Sequence, residues 1–213
     1  MSTLLRHPNG RTTVEPAPAP EPILEPEGVT LPEPVAEPTD AARPSRWLAA
    51  LRISTGFIFL WAFFDKLLGL GYATPSEGAW INGGSPTEGY LSSVNVGPFQ
   101  SLYNDMAGQA WADWLFMLGL AGVGVAVVLG IGMRIAAVSG TLMMMLMWAA
   151  AWPLAQHDAA GELTRSTNPL VDYHVIYALA LIVLAVTHAG RHYGLGEAWA
   201  RLPIVRRFRG ILE

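Results

Sequence analysis

Residues 111–154 read WADWLFMLGLAGVGVAVVLGIGMRIAAVSGTLMMMLMWAAAWPL, and this stretch decides the fold. Asp113 and Arg134 are its only ionisable residues, and Arg134 divides it into apolar runs over 111–133 and 135–154. Each run is close to the roughly 20 helical residues that cross the hydrocarbon core of a bilayer. Strands of a membrane barrel would alternate apolar and polar residues, which these runs do not. The stretch therefore predicts two transmembrane helices joined by a tight turn.

Two further apolar runs flank this stretch, over Trp47 to Phe64 and Leu170 to Ala189. The sequence is 52% hydrophobic and only 14% charged, whereas a soluble domain carries about 25% charged residues. Tryptophans stand at the ends of three runs, as expected for an aromatic belt at the membrane interface: Trp47, Trp111, Trp114, Trp148 and Trp152. We predict an all-α integral membrane protein, a four-transmembrane-helix bundle formed by residues 47–190.

The residues before the first run differ in composition. Residues 1–46 contain ten of the 16 prolines, interleaved with glutamates, and have too little apolar surface to offset the entropy of ordering them. We predict a disordered N-terminal arm that serves as a solvated spacer or as a docking arm. Its start lacks the features of a cleaved secretory signal, so the run at Trp47 is expected to remain as an anchor. Residues 191–213 are predicted to form a basic tail at the membrane interface.

The distribution of basic residues predicts the orientation in the membrane. With the N-terminus inside, Lys66 and Arg165 lie outside, and eleven basic residues lie on the cytoplasmic side: Arg6, Arg11, Arg43, Arg46, Arg52, Arg134, Arg191, Arg201, Arg206, Arg207 and Arg209. Basic residues accumulate on the cytoplasmic side of membrane proteins. We therefore expect a multi-pass protein of the plasma (inner) membrane with both termini cytoplasmic. Residues 65–110 and 155–168 are then outer loops, the first with a short helix around Phe99 to Met106.

The residue content also argues against several classes of function. The sequence has no cysteine, so it offers no disulfide, thiolate metal site or cysteine nucleophile. Its net charge of -4 makes nucleic acid an unsuitable partner. His174 and His188 are separated by about 21 Å along one helix, so they cannot both ligate one haem. The sequence contains none of the common metal or catalytic motifs, and we predict no metal site.

Two features inside the runs concern helix packing. Gly122, Ala126 and Gly130 recur every four residues, which predicts that a neighbouring helix approaches closely along this stripe. Arg52 lies a turn or two inside the first run. We expect its side chain to snorkel to the inner surface, and pairing with an acidic group on another helix is the alternative.

Ionisable residues collect at the outer end of the predicted bundle. Asp65 and Lys66 end the first run, Asp113 begins the second, and Asp172 and His174 lie one turn into the last. Charged groups at membrane depth are costly and therefore indicate function. We predict Asp65, Lys66, Asp172 and His174 as catalytic candidates at this outer mouth. The residues predicted to bind a cofactor beside them are Trp148, Trp152 and Tyr177.

Each polar residue also has a structural interpretation, which the sequence leaves open. Asp65 and Lys66 fit a helix end at the interface with a snorkelling lysine. His174 fits a histidine hydrogen-bonded to a neighbouring helix, and Asp172 fits a carboxylate near the positive N-terminal end of its helix. Asn168-Pro169 is expected to supply the N-cap and the first-turn proline of that helix.

The pattern resembles the DoxX/DoxD family of small four-helix membrane proteins, over about residues 47–200. The resemblance rests on the order and spacing of several pieces: Leu51-Arg52-Ile53 through Gly56, Phe64-Asp65-Lys66-Leu67, the glycine-rich second run closing at Arg134, Asp172-Tyr173-His174, Ala189-Gly190-Arg191 and Gly194-Leu195-Gly196. DoxD-like members are linked with thiosulfate:quinone oxidoreductase, which oxidises thiosulfate to tetrathionate and reduces membrane quinone. Many DoxX-like members have no settled activity.

Two functions follow as expectations. The resemblance implies a quinone-linked oxidoreductase of the thiosulfate:quinone type, or its membrane subunit, with quinone as the bound redox molecule. Lys66 would then hold the anion, and His174 and Asp172 would handle quinone protons, because imidazole exchanges protons near neutral pH. The alternative is a non-catalytic membrane scaffold or assembly partner for respiratory and redox proteins. Membrane lipid is an expected partner in both.

The predicted orientation can be measured by labelling single cysteines, because no native cysteine competes. A cysteine placed at Ser85 should react with an impermeant maleimide in intact cells, and a cysteine placed at Thr30 should react only after permeabilisation. The reverse pattern would show that the basic residues do not face the cytoplasm.

Overall fold

The computed structural model describes residues 42–212, with side chains described from 46 onward. The regular secondary structure of this part of the chain is helical, apart from one isolated antiparallel bridge between His157 and Leu163, and loops connect the helices. Its α-helices are α1 (Ala42–Leu68), α2 (Glu88–Ser92), α3 (Gln100–Met106), α4 (Ala110–Leu129), α5 (Met133–Ala151), α6 (Tyr173–Val186), α7 (Gly196–Ala200), α8 (Pro203–Arg207) and α9 (Arg209–Leu212). Short 3-10 helices cover Ser76–Gly78, Trp80–Asn82 and Ala189–Arg191. The predicted arm lies outside the described residues as far as residue 41.

The helices α1, α4, α5 and α6 form a four-helix bundle in which each packs against two neighbours. Buried apolar side chains from all four helices make one core, among them Phe59, Met117, Met144 and Leu181. Three helices are long and apolar enough to cross a membrane: Arg46–Leu68 within α1, α4 and α5. The predicted all-α membrane fold is confirmed.

The fourth helix is shorter than its apolar run predicts. The run extends from Leu170 to Ala189, but α6 covers only the 14 residues Tyr173–Val186. At 1.5 Å per residue this is about 21 Å, less than the roughly 30 Å of the hydrocarbon core. Residues 170 and 171 stay outside the helix because their amides both donate to Asn168 Oδ1, at 2.9 Å. At the other end, His188 takes a left-handed conformation with φ of 51°, after which the helix does not continue.

Close packing of α1 against α4 depends on two glycines. A Cβ atom on Gly56 would lie 2.7 Å from the backbone nitrogen of Val128, and one on Gly124 would lie 2.8 Å from that of Leu60. Any larger residue would push the two backbones apart. The predicted stripe is wrong at Gly122, where a Cβ atom would meet open space. Gly124 lies two residues further along, on nearly the opposite side of the helix, and this side faces α1.

Arg52 is completely buried, so the prediction that it snorkels is wrong. Its Nη1 donates hydrogen bonds to the carbonyl oxygens of Val127, at 2.7 Å, and of Val128. Its Nη2 donates to the carbonyl oxygen of Tyr193 at 3.0 Å. Val127 and Val128 belong to the last turn of α4, where carbonyls carry partial negative charge and Val127 has only the 3.2 Å hydrogen bond from the amide of Gly130 as a backbone partner. The guanidinium group therefore stabilises the end of α4 and joins it to the chain that follows α6.

Glycines allow the backbone to close around this guanidinium group. Gly130 ends α4 with φ of 74°, and a Cβ atom there would lie 2.7 Å from Cα of Gly190 and 3.1 Å from Nη1 of Arg52. The amide of Leu195 donates to the carbonyl of Leu129 at 2.8 Å. This end of the bundle, formed by Arg52, residues 130–134 and residues 188–212, is termed the basic end. The opposite end, formed by residues 65–109 and 147–174, is termed the loop end.

We expect Arg52→Met to lower the free energy of unfolding by about 3 kcal/mol, because hydrogen bonds to a charged group contribute roughly 1.5–3 kcal/mol and buried carbonyls lose their donor. The measurement is thermal and denaturant unfolding of the purified protein in detergent. The matched control is Arg201→Met, since the Arg201 side chain is 82% exposed. Equal stability of the two variants would contradict the assigned role of Arg52.

Candidate functional site

Asp65 holds the loop that follows α1 against the end of that helix. The residue is 2% exposed. Its Oδ1 accepts a hydrogen bond from the amide of Tyr72 at 3.2 Å, and its Oδ2 accepts one from the amide of Ala73 at 3.0 Å. Lys66 follows it and is half-buried. The geometry gives Asp65 an anchoring role, and the catalytic role of Asp65 and Lys66 stays a prediction.

Asp113 anchors a second part of the loop end in the same manner. This buried residue in the first turn of α4 accepts hydrogen bonds from Ser85 Oγ at 2.9 Å, Thr87 Oγ1 at 2.6 Å and the amide of Thr87 at 3.0 Å. A carboxylate buried with several donors is stable where an unpaired one is not. In the sequence, its only signal is that it is the single carboxylate of an apolar run.

Asp172 and His174 form a hydrogen-bonded pair at the start of α6. The Oδ2 atom of Asp172 lies 2.7 Å from Nδ1 of His174. The other carboxylate oxygen, Oδ1, accepts from the amides of His174 at 3.0 Å and Val175 at 3.3 Å. Asp172 is therefore the N-cap of α6, and the prediction that Asn168-Pro169 caps this helix is wrong. The capping aspartate also sets the direction of the imidazole ring.

The far side of the His174 ring has no partner. His174 is 1% exposed, and its buried Nε2 makes no hydrogen bond within residues 46–212. Buried polar atoms without a partner are rare, because burial removes their hydrogen bonds to water and no other hydrogen bond compensates for this loss. A neutral imidazole whose Nδ1 proton points to a carboxylate presents Nε2 as a hydrogen-bond acceptor. The atom is thus ready to accept a proton or a hydrogen bond from a bound molecule.

Tyrosines surround this pair. The ring centroids of Tyr173 and His174 lie 4.0 Å apart, and those of Tyr173 and Tyr177 lie 6.0 Å apart. From α2, the Tyr90 hydroxyl donates to the carbonyl of Met147 at 3.2 Å. Desolvation raises the pKa of Tyr90 to about 12, with a further contribution from the Tyr173, Tyr103 and Asp172 charges. Tyr90 is thus near the pair and stays neutral at physiological pH.

The predicted short helix around Phe99 to Met106 is confirmed as α3, in the segment between α1 and α4, and it contacts α5 through Tyr103. The hydroxyl of Tyr103, in α3, donates to the carbonyl of Leu146 at 2.8 Å, and desolvation raises its pKa. Tyr90 and Tyr103 carry no sequence signal for the site, because isolated tyrosines in a loop do not show which helix they contact.

The two predicted tryptophans lie at the loop end of α5. Trp148 Nε1 donates to the carbonyl of Leu170 at 3.2 Å, which ties α5 to the segment before Asp172. The rings of Trp148 and Trp152 have centroids 6.0 Å apart. Trp152 ends α5 in a left-handed conformation, with φ of 40°. Their role in binding a cofactor stays a prediction.

The predicted catalytic residues fall into two groups. Asp172 and His174 are in contact, with Tyr177 one turn along α6. Within the described residues, no hydrogen bond or ion pair joins Asp65 or Lys66 to this pair. The loop end therefore has a hydrogen-bonded Asp–His pair at the start of α6 and a separate anchored carboxylate on α1.

The match to a protein family covers the helix that carries Asp65 and Lys66 but not the Asp172–His174 pair. Residues 47–152 match the DoxX family model, a range that includes α1, α4, α5 and the intervening loop. The chain belongs to the DoxX family. The match covers about half of this DoxX protein and ends at Trp152, so the Asp172–His174 pair lies beyond it. No curated protein and no solved structure matches the chain significantly.

We expect Asp172→Ala to lower the free energy of unfolding of this DoxX protein by about 1 kcal/mol, the usual cost of losing an N-cap. Asp172→Asn should lower the free energy of unfolding by less, because its side-chain oxygen can still accept hydrogen bonds from the first amides of α6. Asp105→Ala, on the exposed surface of α3, is the control for charge loss. Unfolding in detergent measures all three, and equal losses in the two Asp172 variants would contradict the capping role.

Proposed function

We propose that this DoxX protein acts in quinone-linked oxidation, as a thiosulfate:quinone oxidoreductase or as its membrane subunit, with Asp172 and His174 handling the quinone protons. One observation carries the proposal. The buried imidazole of His174 is held by Asp172 at Nδ1, and its Nε2 has no partner among the described residues.

The pair has the parts that proton transfer to a quinone requires. The reduction of a quinone to a quinol takes up two electrons and two protons. His174 Nε2 would deliver a proton to a quinone oxygen, and Asp172 would stabilise the imidazolium form between transfers, as a carboxylate does for a general base. The Asp172 side chain keeps 17% of its surface exposed, which connects the buried ring with the surface.

The surroundings of the pair also suit a quinone. The ring of Tyr173 packs on His174, and Tyr177 and Trp148 stand near the same helix end. Flat aromatic side chains beside one convergent polar group are typical of sites for small aromatic molecules. Trp148, Trp152 and Tyr177 remain the residues proposed to contact the ring.

The electrons come from thiosulfate in the proposed reaction. Two thiosulfate ions form one new S–S bond, become tetrathionate and release the two electrons that the quinone accepts. Lys66, the only lysine of the sequence, is proposed to hold a thiosulfate ion by its charge. The electrons then pass through a cofactor of a partner subunit, or directly between substrates bound side by side.

Purified protein in liposomes, alone and with candidate partner subunits, should reduce decylubiquinone when thiosulfate is added. We expect His174→Gln to lower turnover at least 100-fold, the lower range for loss of a general acid–base group. Lys66→Met should raise the KM for thiosulfate and leave quinone binding unchanged. Quenching of tryptophan fluorescence by the quinone measures that binding separately from turnover.

The matched control is His157→Gln, which removes an exposed imidazole from the same end of the protein. Wild-type turnover in His174→Gln would remove the pair from the mechanism. If the wild type neither binds decylubiquinone nor turns over with any partner, the oxidoreductase proposal is wrong and the scaffold function is favoured.

A further inference from the structure

A large groove lies between α5 and α6, in the half of the bundle nearer the basic end. Its volume is about 1110 Å³, above the roughly 300–1,000 Å³ of ordinary small-molecule pockets. Apolar side chains form most of its walls, among them Val138, Leu142, Met145, Ile182 and Val186. Such a groove on the side of a membrane bundle faces the acyl chains of the bilayer.

The length of the groove corresponds to one leaflet. Along α5 its walls extend from Arg134 to Met145, a distance of about 17 Å at 1.5 Å per residue. The hydrocarbon core of a bilayer is roughly 30 Å thick, so one leaflet supplies about half of that. A lipid acyl chain lying along the groove would therefore place its headgroup at the basic end.

One cationic and several polar groups line this end of the groove. Arg134 is exposed, and its Nη1 donates to the carbonyl of Gly210 at 2.7 Å, which brings α9 and Ile211 to the rim. His188 lines the same end. The chain from 187 to 213, which supplies His188, Gly210 and Ile211 to the groove, carries five arginines and two glutamates, an excess of positive charge.

We propose that this groove binds an anionic phospholipid, with one acyl chain between α5 and α6 and the phosphate at Arg134 and His188. Arginine forms paired hydrogen bonds with phosphate oxygens, and basic pockets between membrane helices hold anionic headgroups. The phosphate end of this site lies apart from the proposed quinone chemistry: Val186, near that end, is twelve residues from His174, or about 18 Å along α6, whereas Ile182, the groove residue of α6 nearest to His174, is eight residues away, or about 12 Å. The lipid would contact α5, the short helix α6 and α9 together, and would thereby stabilise the position of α6 at the basic end.

Native mass spectrometry of the purified full chain, titrated with phosphatidylglycerol or phosphatidylcholine, tests this proposal. We expect tighter binding of phosphatidylglycerol and a thermal stabilisation that phosphatidylcholine does not give. Arg134→Gln should weaken phosphatidylglycerol binding about fivefold, since a basic residue near an anionic lipid surface contributes about 1 kcal/mol. Arg201→Gln, at an exposed ion pair with Glu197 outside the groove, is the matched control.

A second pair of variants tests the acyl chain site without changing charge. Ser139→Trp fills the groove and should abolish the preference for phosphatidylglycerol over phosphatidylcholine. Leu118→Trp lies on an exposed face of α4 outside the groove and should keep this preference. Equal affinity for the two lipids, equal losses in Arg134→Gln and Arg201→Gln, or displacement of phosphatidylglycerol by decylubiquinone would each overturn the proposal. A dimer that Ser139→Trp breaks while lipid affinity is unchanged would assign the groove to a second copy instead.

Discussion

The burial of one arginine organises the basic end of this protein. Arg52 brings a positive charge to the end of α4, where it donates to the carbonyl of Val128 and adds to the one backbone hydrogen bond that the carbonyl of Val127 receives from Gly130. The same guanidinium group binds the carbonyl of Tyr193 and so holds the chain after α6 beneath the bundle. This arrangement requires backbone segments to approach within contact distance, which explains why glycines occupy the positions around the guanidinium group.

At the loop end, carboxylates accept hydrogen bonds from backbone amides, whereas at the basic end a guanidinium group donates to backbone carbonyls. Asp65, Asp113 and Asp172 each accept hydrogen bonds from backbone amides, and the first two fix the long segment between α1 and α4 onto these helices. Asp172 differs from the other two because its second oxygen binds His174 Nδ1. One carboxylate thus starts α6 and orients the only buried histidine side chain among the described residues. The structural and chemical interpretations of Asp172 and His174 are therefore compatible.

The two ends of the bundle suggest a division of roles. The DoxX match covers the helices that carry Arg52, Asp65 and Asp113, which serve mainly as anchors in the structure. The Asp172–His174 pair lies at the start of α6, a helix too short to cross the bilayer by itself. The segment before this pair is tied to α5 at the loop end through Trp148. Toward the basic end, residues of the same two helices line the groove. Stability of α6 thus depends on contacts at both of its ends.

The sequence by itself determined the membrane fold, because the transfer of a helix into lipid depends on the length and composition of an apolar run. It also determined that Asp172 and His174 are neighbours, since their hydrogen bond is local to one helix start. The sequence could not predict which face of α4 packs against α1, because Gly122 and Gly124 are the same residue type and only the rotation of the helix distinguishes them. The partners of Arg52 lie 75 and 141 residues away in sequence. Only the tertiary structure brings those carbonyls to the guanidinium group, and it thereby decides that the arginine is buried.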